Sequence, residues 1–577
     1  TNSSHAKFEV ECSVPETRDT SGNQIYIRYR IGKNASWANS SSRIAEIEDV
    51  HAIAGSGSRF TYKFDYLSDG ALPERLYQIN RRTSVSGRID RVDFSQSGST
   101  ITLASPISGT GIAKTVRTLS SVSRTGAGAT SFTYASNNSG EIARVTLPYG
   151  GYFDYTYANG TYGGKTIREI TTRVLTPTPG ASSHTYTFTR TAGGTIPATT
   201  RVVDASNLSD KLWTFDTNTT SISYGHWTQL DERELPSLSV KRRQTATYFA
   251  HAPAKVFLYE VLTTLDPGTA NQYTAKSAQW LDGEGNLRDS HSYLASDLVN
   301  PARTIRNSYL HYTDSWAASN RVLNRLAKVE LISGGTTLIL QQSTWAGSLV
   351  AGASCSSAIL NHVGCGVTLH RFNLGTVSAS GLTTNFKYDY AGNVARTWGA
   401  SPELTRNFTA TTNFSLPELM TPNNTSYLAT SINYDADHLP TQSTAPNNAI
   451  ARTNYDTYGR VVETESPAGA ETAYTFGIDT GSRIDTVKTY PSSASADFTF
   501  RRTYYDGLGR PIKSESGGSD WAVKTTTETE YAPCACSPTG KMKRVSLPYA
   551  PGGTVQWTTY TYDALGRTLS VALPGGS

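Results

Sequence analysis

The sequence predicts an all-β protein built as an array of repeated β-hairpins, and three observations carry that prediction. A tyrosine-aspartate phrase recurs five times in the last third of the chain. Tyrosine (33) and glycine (48) are abundant while methionine is nearly absent (2), a profile of strands and frequent turns. No run of Pro, Ser or charge in the 577 residues is long enough to separate two cores, so a continuous array explains the length better than several globules.

The last copy of the phrase shows what one unit does. Thr558-Thr559-Tyr560-Thr561-Tyr562 places aromatic and hydroxyl residues on alternate positions, the period of a strand with two unlike faces. Asp563 opens a turn and Gly566 closes it three residues later, the preferred ends of a four-residue turn. Arg567 follows, and Leu569, Val571 and Leu573 then alternate with smaller residues until Pro574-Gly575 breaks the strand. Each copy is thus strand, tight turn, strand. The others begin at Tyr388-Asp389 (closing on Gly392), Tyr434-Asp435, Tyr455-Asp456 (Gly459, Arg460) and Tyr505-Asp506 (Gly509, Arg510). The expected roles are structural. Asp caps the turn through its own backbone, Tyr packs against the Tyr of the next strand, and Arg covers an aromatic rung or pairs with a carboxylate.

These residues resemble the YD repeat of the RHS and teneurin families, Tyr-Asp-x-x-Gly-Arg followed by an aliphatic strand. Tyr455 to Val462, Tyr505 to Ile512 and Tyr562 to Leu569 fit the pattern; Tyr388 has Asn393 in place of Arg, and Tyr434 has His438 and Leu439 in place of Gly and Arg. Weaker units fill the gaps at Tyr474 and Tyr531, giving a step of roughly 20 to 30 residues. Upstream, Gly140 to Tyr157 parallels Gly540 onward, and Asp282-Gly-Glu-Gly285-Asn286 is similar to the Asp389 turn. Residues 1–380 are therefore taken as a diverged repeat region and 381–577 as a clear one, continuous with the first. The resemblance implies that the hairpins spiral into a sheet or hollow shell, which in these families encloses a toxin segment or presents a large extracellular surface. The families' self-cleavage element is not seen. Asp266-Pro267-Gly268 superficially looks like it but continues with Thr-Ala-Asn and is expected to be a turn.

The remaining composition narrows function by exclusion. The net charge of +5 is spread along the chain, with Lys241-Arg242-Arg243 the one basic cluster; nucleic-acid binding needs a concentrated basic face and is not expected. No stretch reaches about 18 apolar residues, so no transmembrane helix is expected. The chain begins with Thr and has no signal-peptide core, which reads as a removed leader or a fragment. Five cysteines suggest two local disulfides, Cys355 with Cys365 and Cys534 with Cys536, leaving Cys12. The alternative is a metal site using His362 with Cys365, or Cys534 with Cys536; zinc wants four ligands, and no second pair is spaced for it. No cofactor or metal is expected.

Catalytic signatures are missing too: no Gly-x-Ser-x-Gly elbow, no His-Glu-x-x-His, no Walker loop and no dinucleotide fingerprint. Residues 317–331 are the best local candidate for a helix, although Arg325 to Leu331 reads equally well as a strand. The leading expectation is a secreted or cell-surface structural protein without catalysis: a β-shell, adhesive surface or assembly subunit. The alternatives are a carbohydrate-binding or carbohydrate-cleaving extracellular protein, and the shell fragment of an RHS-type toxin. Self-association through open strand edges is expected on physical grounds.

Overall fold

The computed structural model describes residues 16–18, 23–31, 39, 41–49, 52, 60–69, 72–81, 83, 87–103, 114–251, 255–350, 372–480, 483–534 and 537–575. Within them the chain is an all-β array of hairpins, and one sheet holds 40 strands. Nearly every strand pairs antiparallel with the strand before it and the strand after it. Thus Tyr152–Tyr162 pairs Lys165–Thr176, which pairs His184–Ala192, which pairs Pro197–Asp204. Two departures interrupt the meander. Asp90–Gln96 pairs directly with Leu119–Arg124, leaving Ile101–Leu103 and Lys114–Val116 as a separate two-stranded flap. Thr336–Thr344 pairs with Thr376–Ala379, and Ser348–Leu349 runs parallel to Leu382–Tyr388.

The sheet curves because the same irregularity recurs at each tyrosine-aspartate turn. Thr561 faces Ser570 but Tyr562 faces Thr568, so Leu569 is an extra residue on the second strand. The same shift makes Val462 extra opposite Tyr455, Ile512 opposite Tyr505, Thr441 opposite Tyr434 and Ala395 opposite Tyr388. A bulge bends its strand and raises local twist. Repeating it in one place per hairpin turns a meander into a spiral.

The wall is thin. A compact protein of 62.4 kDa exposes about 20,000 Å², whereas this chain exposes 31520 Å². Buried apolar side chains are few among the described residues, Tyr162, Leu175, Tyr186, Tyr388 and Phe500 being the larger ones. Charge pairs occupy the positions that a globular core would fill with aliphatics. Asp210, with no exposed surface, takes Arg201 Nε (2.7 Å) and Arg233 Nη2 (2.8 Å); Asp289 takes Arg288 Nε (2.8 Å) and Arg306 Nε (2.7 Å). The Lys241-Arg242-Arg243 cluster is neutralised on its neighbouring strand, where Lys241 meets Glu234 (2.9 Å), Arg242 meets Glu232 and Arg243 meets Asp231 (2.7 Å).

Three expectations meet the structure here. Helix formation between 317 and 331 is confined to Ser315–Ser319, capped by the Asp314 carboxylate, which accepts from the Ala317 amide (2.8 Å). Arg321 then takes a left-handed conformation (φ +56°), and the rest becomes the strand Leu326–Ser333, where Lys328 and Glu330 pair on one face at 2.8 Å. Asp266-Pro267-Gly268 is a turn between Lys255–Leu265 and Tyr273–Leu281, closed by the Thr269 amide donating to the Asp266 carbonyl (3.2 Å). Cys12, Cys355, Cys365, Cys536, the Cys534 side chain and His362 lie outside the described residues.

In four of the five turns the tyrosine has a partner that the sequence does not mark, its hydroxyl donating to a main-chain carbonyl earlier in the chain: Tyr388 to Leu374 (2.8 Å), Tyr434 to Pro417 (3.0 Å), Tyr455 to Pro440 (2.8 Å) and Tyr562 to Met542. Tyr134 and Tyr157 do the same upstream. Burial pushes these phenols above their ordinary titration range, so they remain donors. A tyrosine suits the task because its rigid ring spans one strand spacing and carries its only polar group at the tip.

Two outcomes are expected. Tyr388→Phe removes one donor and orphans the Leu374 carbonyl, easing local opening of the hairpin Leu382–Gly399 by about 1 kcal/mol, measured by native-state hydrogen exchange, with distant strands unchanged. Asp289 is held below the ordinary carboxylate range: burial opposes ionisation, and the hydrogen bonds from Arg306 and Arg288 outweigh it. A depressed native pKa stabilises the fold above the unfolded value of about 3.9 and loses that contribution as pH falls through the native value. The stability gap between wild type and Asp289→Asn, read from urea midpoints, is therefore expected at pH 7 and shrinks below about pH 3.9.

Candidate functional site: the turns and the seam they form

The tyrosine-aspartate turns share one hydrogen-bond pattern built on the carboxylate. In the copy at Tyr455, the Asp456 amide donates to the Arg460 carbonyl (2.9 Å) and the Gly459 amide donates to the Asp456 carbonyl (3.1 Å). Asp456 Oδ1 accepts the amides of Tyr458 (2.8 Å) and Arg460 (2.9 Å), and Oδ2 accepts Arg460 Nε (2.8 Å). One carboxylate therefore closes the turn and holds the side chain four residues on. The copies at Asp506 and Asp563 repeat this, with Arg510 Nε at 2.8 Å and Arg567 Nε at 2.6 Å. The fourth position is left-handed throughout: Gly392 (φ +86°), Gly459 (+77°), Gly509 (+80°) and Gly566 (+77°). His438 occupies it at φ +65°, where a side chain costs about 1–2 kcal/mol.

The copy at Tyr388, which departs from the pattern in sequence, keeps it in space. Asn393 Nδ2 donates to Asp389 Oδ2 (2.9 Å) and also to the Phe414 carbonyl (2.6 Å). Asn286 does likewise with Asp282 Oδ2 (2.9 Å) and the Leu323 carbonyl (3.0 Å). Arginine makes the same double contact: Arg510 Nη1 donates to the Thr539 carbonyl and Arg460 Nη1 to the Gly126 carbonyl (2.7 Å). In these four turns the residue after the glycine ties its own turn to a second loop. Burial raises Asp389 above its ordinary range despite the hydrogen bonds from Asn393. The arginines also face aromatics, Arg460 over Phe476 (4.2 Å) and Arg510 over Tyr531 (4.3 Å).

The Arg460 contact crosses 334 residues of sequence, and it is one of a series. Asn23 Nδ2 donates to the Ala391 carbonyl (2.8 Å), and Arg88 Nη1 to Asp435 Oδ2 (2.7 Å). The Ile89 amide donates to the Thr457 carbonyl (2.6 Å), and the Gly151 amide to the Gly507 carbonyl (2.8 Å). Gly507 also donates to Thr178 Oγ1 (3.3 Å), and the rings of Tyr149 and Tyr505 lie 5.7 Å apart. Side-chain contacts in this series span separations from 329 to 368 residues. They are the contacts of one turn of the spiral with the next. The tyrosine-aspartate turns of the later strands form a seam against loops of the earlier ones.

The seam brings together Asp435, Thr457, Arg460 and Gly507 with residues that nothing local in the sequence marks: Asn23, Arg88, Gly126, Gly151 and Thr178. Gly507 is the one signal that could have been read. It fills a variable position of the repeat, occupied elsewhere by Tyr390, Ala436, Thr457 and Ala564, and a Cβ there would overlap the Pro177 carbonyl oxygen and the Gly151 amide nitrogen. Among the described residues no group of three metal-ligating side chains gathers, and no helix is long and apolar enough to cross a membrane.

No family model matches the chain, and no curated protein matches it in sequence. Solved structures do match in fold. A chain of the TcdB2-TccC3 crystal structure aligns with a TM-score of 0.53 at 10% identity, covering 96% of this chain and 40% of that one. Chains from TcdB2-TccC3-TEV and TcdB2-TccC3-Cdc42 crystal structures each align with a TM-score of 0.52 at 9% identity, covering 96% of this chain and 41% of those. The chain spans about two fifths of the length of these neighbours. At such identity the likeness establishes a shared fold, the spiral β-array.

Gly507→Ala is expected to loosen the seam by about 1–3 kcal/mol through overpacking against main chain that cannot retreat. Hydrogen exchange should quicken at the Gly151 amide and in residues 505–512. Gly283→Ala, at an open position without a left-handed backbone, should change neither.

Proposed function

We propose that this chain is a secreted or cell-surface structural protein of RHS type, without catalysis of its own, whose wall encloses or displays another polypeptide. The observation that supports this most is the seam. Successive turns of a wall one sheet thick are fastened edge to edge by main-chain hydrogen bonds and a buried arginine. A sheet that only offered a flat adhesive surface has no need for its turns to close on one another. The enclosed chain that fits the resemblance is a toxin segment; assembly through a free strand edge is the other partner consistent with an open array.

Electron microscopy of the protein expressed from its complete coding sequence tests this. The expected particle is hollow, with protease-resistant material inside that becomes sensitive when the seam is weakened. A filament, or a solid particle whose contents are digested equally in both forms, overturns the enclosing role. Turnover of a glycan or peptide that a point mutation in one cleft abolishes overturns the absence of catalysis.

A second reading, carbohydrate binding, has one supporting observation. A cavity of about 410 Å³ on the strand surface is lined by Arg501, Lys513 and Pro511 together with the hydroxyls of two serines and three threonines, two cations among hydroxyls that suit a polar ring. Glycan-array binding lost in Arg501→Ala would favour it, and silence across the array would remove it.

A further inference from the structure

The turn at Tyr434 has lost both the glycine and the arginine of its repeat, yet its geometry is intact. The Asp435 amide donates to the Leu439 carbonyl (2.9 Å), and Asp435 Oδ1 accepts the amides of Asp437 (2.9 Å) and Leu439 (2.9 Å). In the Asp282, Asp389, Asp456, Asp506 and Asp563 turns, Oδ2 takes a side-chain N–H from the residue four places on. Leu439 has none to give. At Asp435 the donor is Arg88 Nη1, reaching in from 347 residues earlier. Arg88 also donates to Asp437 Oδ2 (2.9 Å), and its guanidinium lies 5.9 Å from the Tyr455 ring.

Two substitutions in this turn act together. The third position after tyrosine is Ala391, Tyr458, Leu508 or Leu565 in the other four tyrosine-aspartate copies and among these five is acidic only here, as Asp437; the Asp282 turn has Glu284 there, which pairs with Arg321. Losing the arginine and gaining Asp437 gives the turn two carboxylates and neither arginine nor lysine of its own. Both are sequestered, with side chains 16% and 3% exposed, and Arg88 is 8% exposed. Two buried carboxylates are tolerated only with a matching charge in hydrogen-bonding contact. The next residue, Ile89, then donates its amide to Thr457 in the following turn.

We propose that the Asp435–Leu439 turn is a receptor for Arg88, and that this insertion sets which hairpin of one spiral turn lies over which hairpin of the next. Seam bonds between main-chain groups look alike at any register. A paired carboxylate clamp at one turn, with its arginine on one loop, does not. The repeat that is most degraded in sequence is on this view the most specialised in function.

Hydrogen exchange on three forms of the intact chain tests the proposal. In Arg88→Met, exchange should rise about tenfold or more both in peptides covering 430–444 and at the Ile89 amide, as a buried charge cluster loses its counterion. In Arg88→Met with His438→Gly and Leu439→Arg, the turn regains its own arginine. Peptides 430–444 should recover while Ile89 stays unprotected, because the seam still lacks its pin. Recovery of both would mean that Arg88 only balances charge, and would overturn the proposal, as would an Arg88→Met protein with neither region changed. Should Arg88→Met fail to fold, Asp437→Asn keeps the Asp435 contact and halves the clamp. Faster exchange at Ile89 then supports the assignment, and unchanged exchange refutes it.

Discussion

The rest of the structure hangs on one carboxylate that does two jobs. At each tyrosine-aspartate turn one aspartate oxygen gathers main-chain amides, and at all but the Tyr434 turn the other holds a side chain four residues later. Because the amides fix the turn, the strand that leaves it starts in a set register, and the extra residue two places beyond arginine is forced into a bulge. Because the second oxygen orients the arginine or asparagine, that side chain reaches a neighbouring loop. Local turn, sheet curvature and contact with the next element all follow from the placement of a single acidic group.

This matters more here than in a globular domain because the wall has little core. A sheet one layer thick buries modest apolar surface, so hydrophobic burial, which supplies most of the stability of compact folds, is diluted along the array. Buried ion pairs such as Asp210 with Arg201 and Arg233, tyrosine hydroxyls bonded to carbonyls, and seam contacts between spiral turns carry a correspondingly larger share. Each unit leans on its neighbours, as in other repeat architectures. The seam adds a coupling that simple linear repeats lack.

What could be read from the sequence was what is encoded within about ten residues. Asp563 and Gly566 announce their turn, and alternation in 558–562 announces its strand. The Asp282 turn was recognisable for the same reason. The partner of the tyrosine hydroxyl is not legible, because alternation reports which face a side chain takes, not what lies across the strand; the carbonyl it meets is marked by no residue type. Asn393 reads as a departure from the pattern because sequence compares side chains by charge, whereas the turn uses only an N–H aimed at Oδ2. The seam was illegible. Arg88 and Asp435 are 347 residues apart, and no periodicity links them until the radius of the spiral is known.

The long span of the seam bonds has a consequence for how the molecule is made. Hairpins form from neighbours in sequence and can assemble as the chain emerges, each on the edge left by the last. The seam cannot begin until a full circuit exists, since the residues that receive Ala391, Asp435 and Gly507 belong to the previous one. Loop-closure entropy grows only logarithmically with length, and a circuit already stiffened into sheet has little left to lose. The early strands therefore act as a mould on which later strands are laid. An error in the first circuit is copied into the second, which is a reason for the wall to carry a register mark early in their overlap.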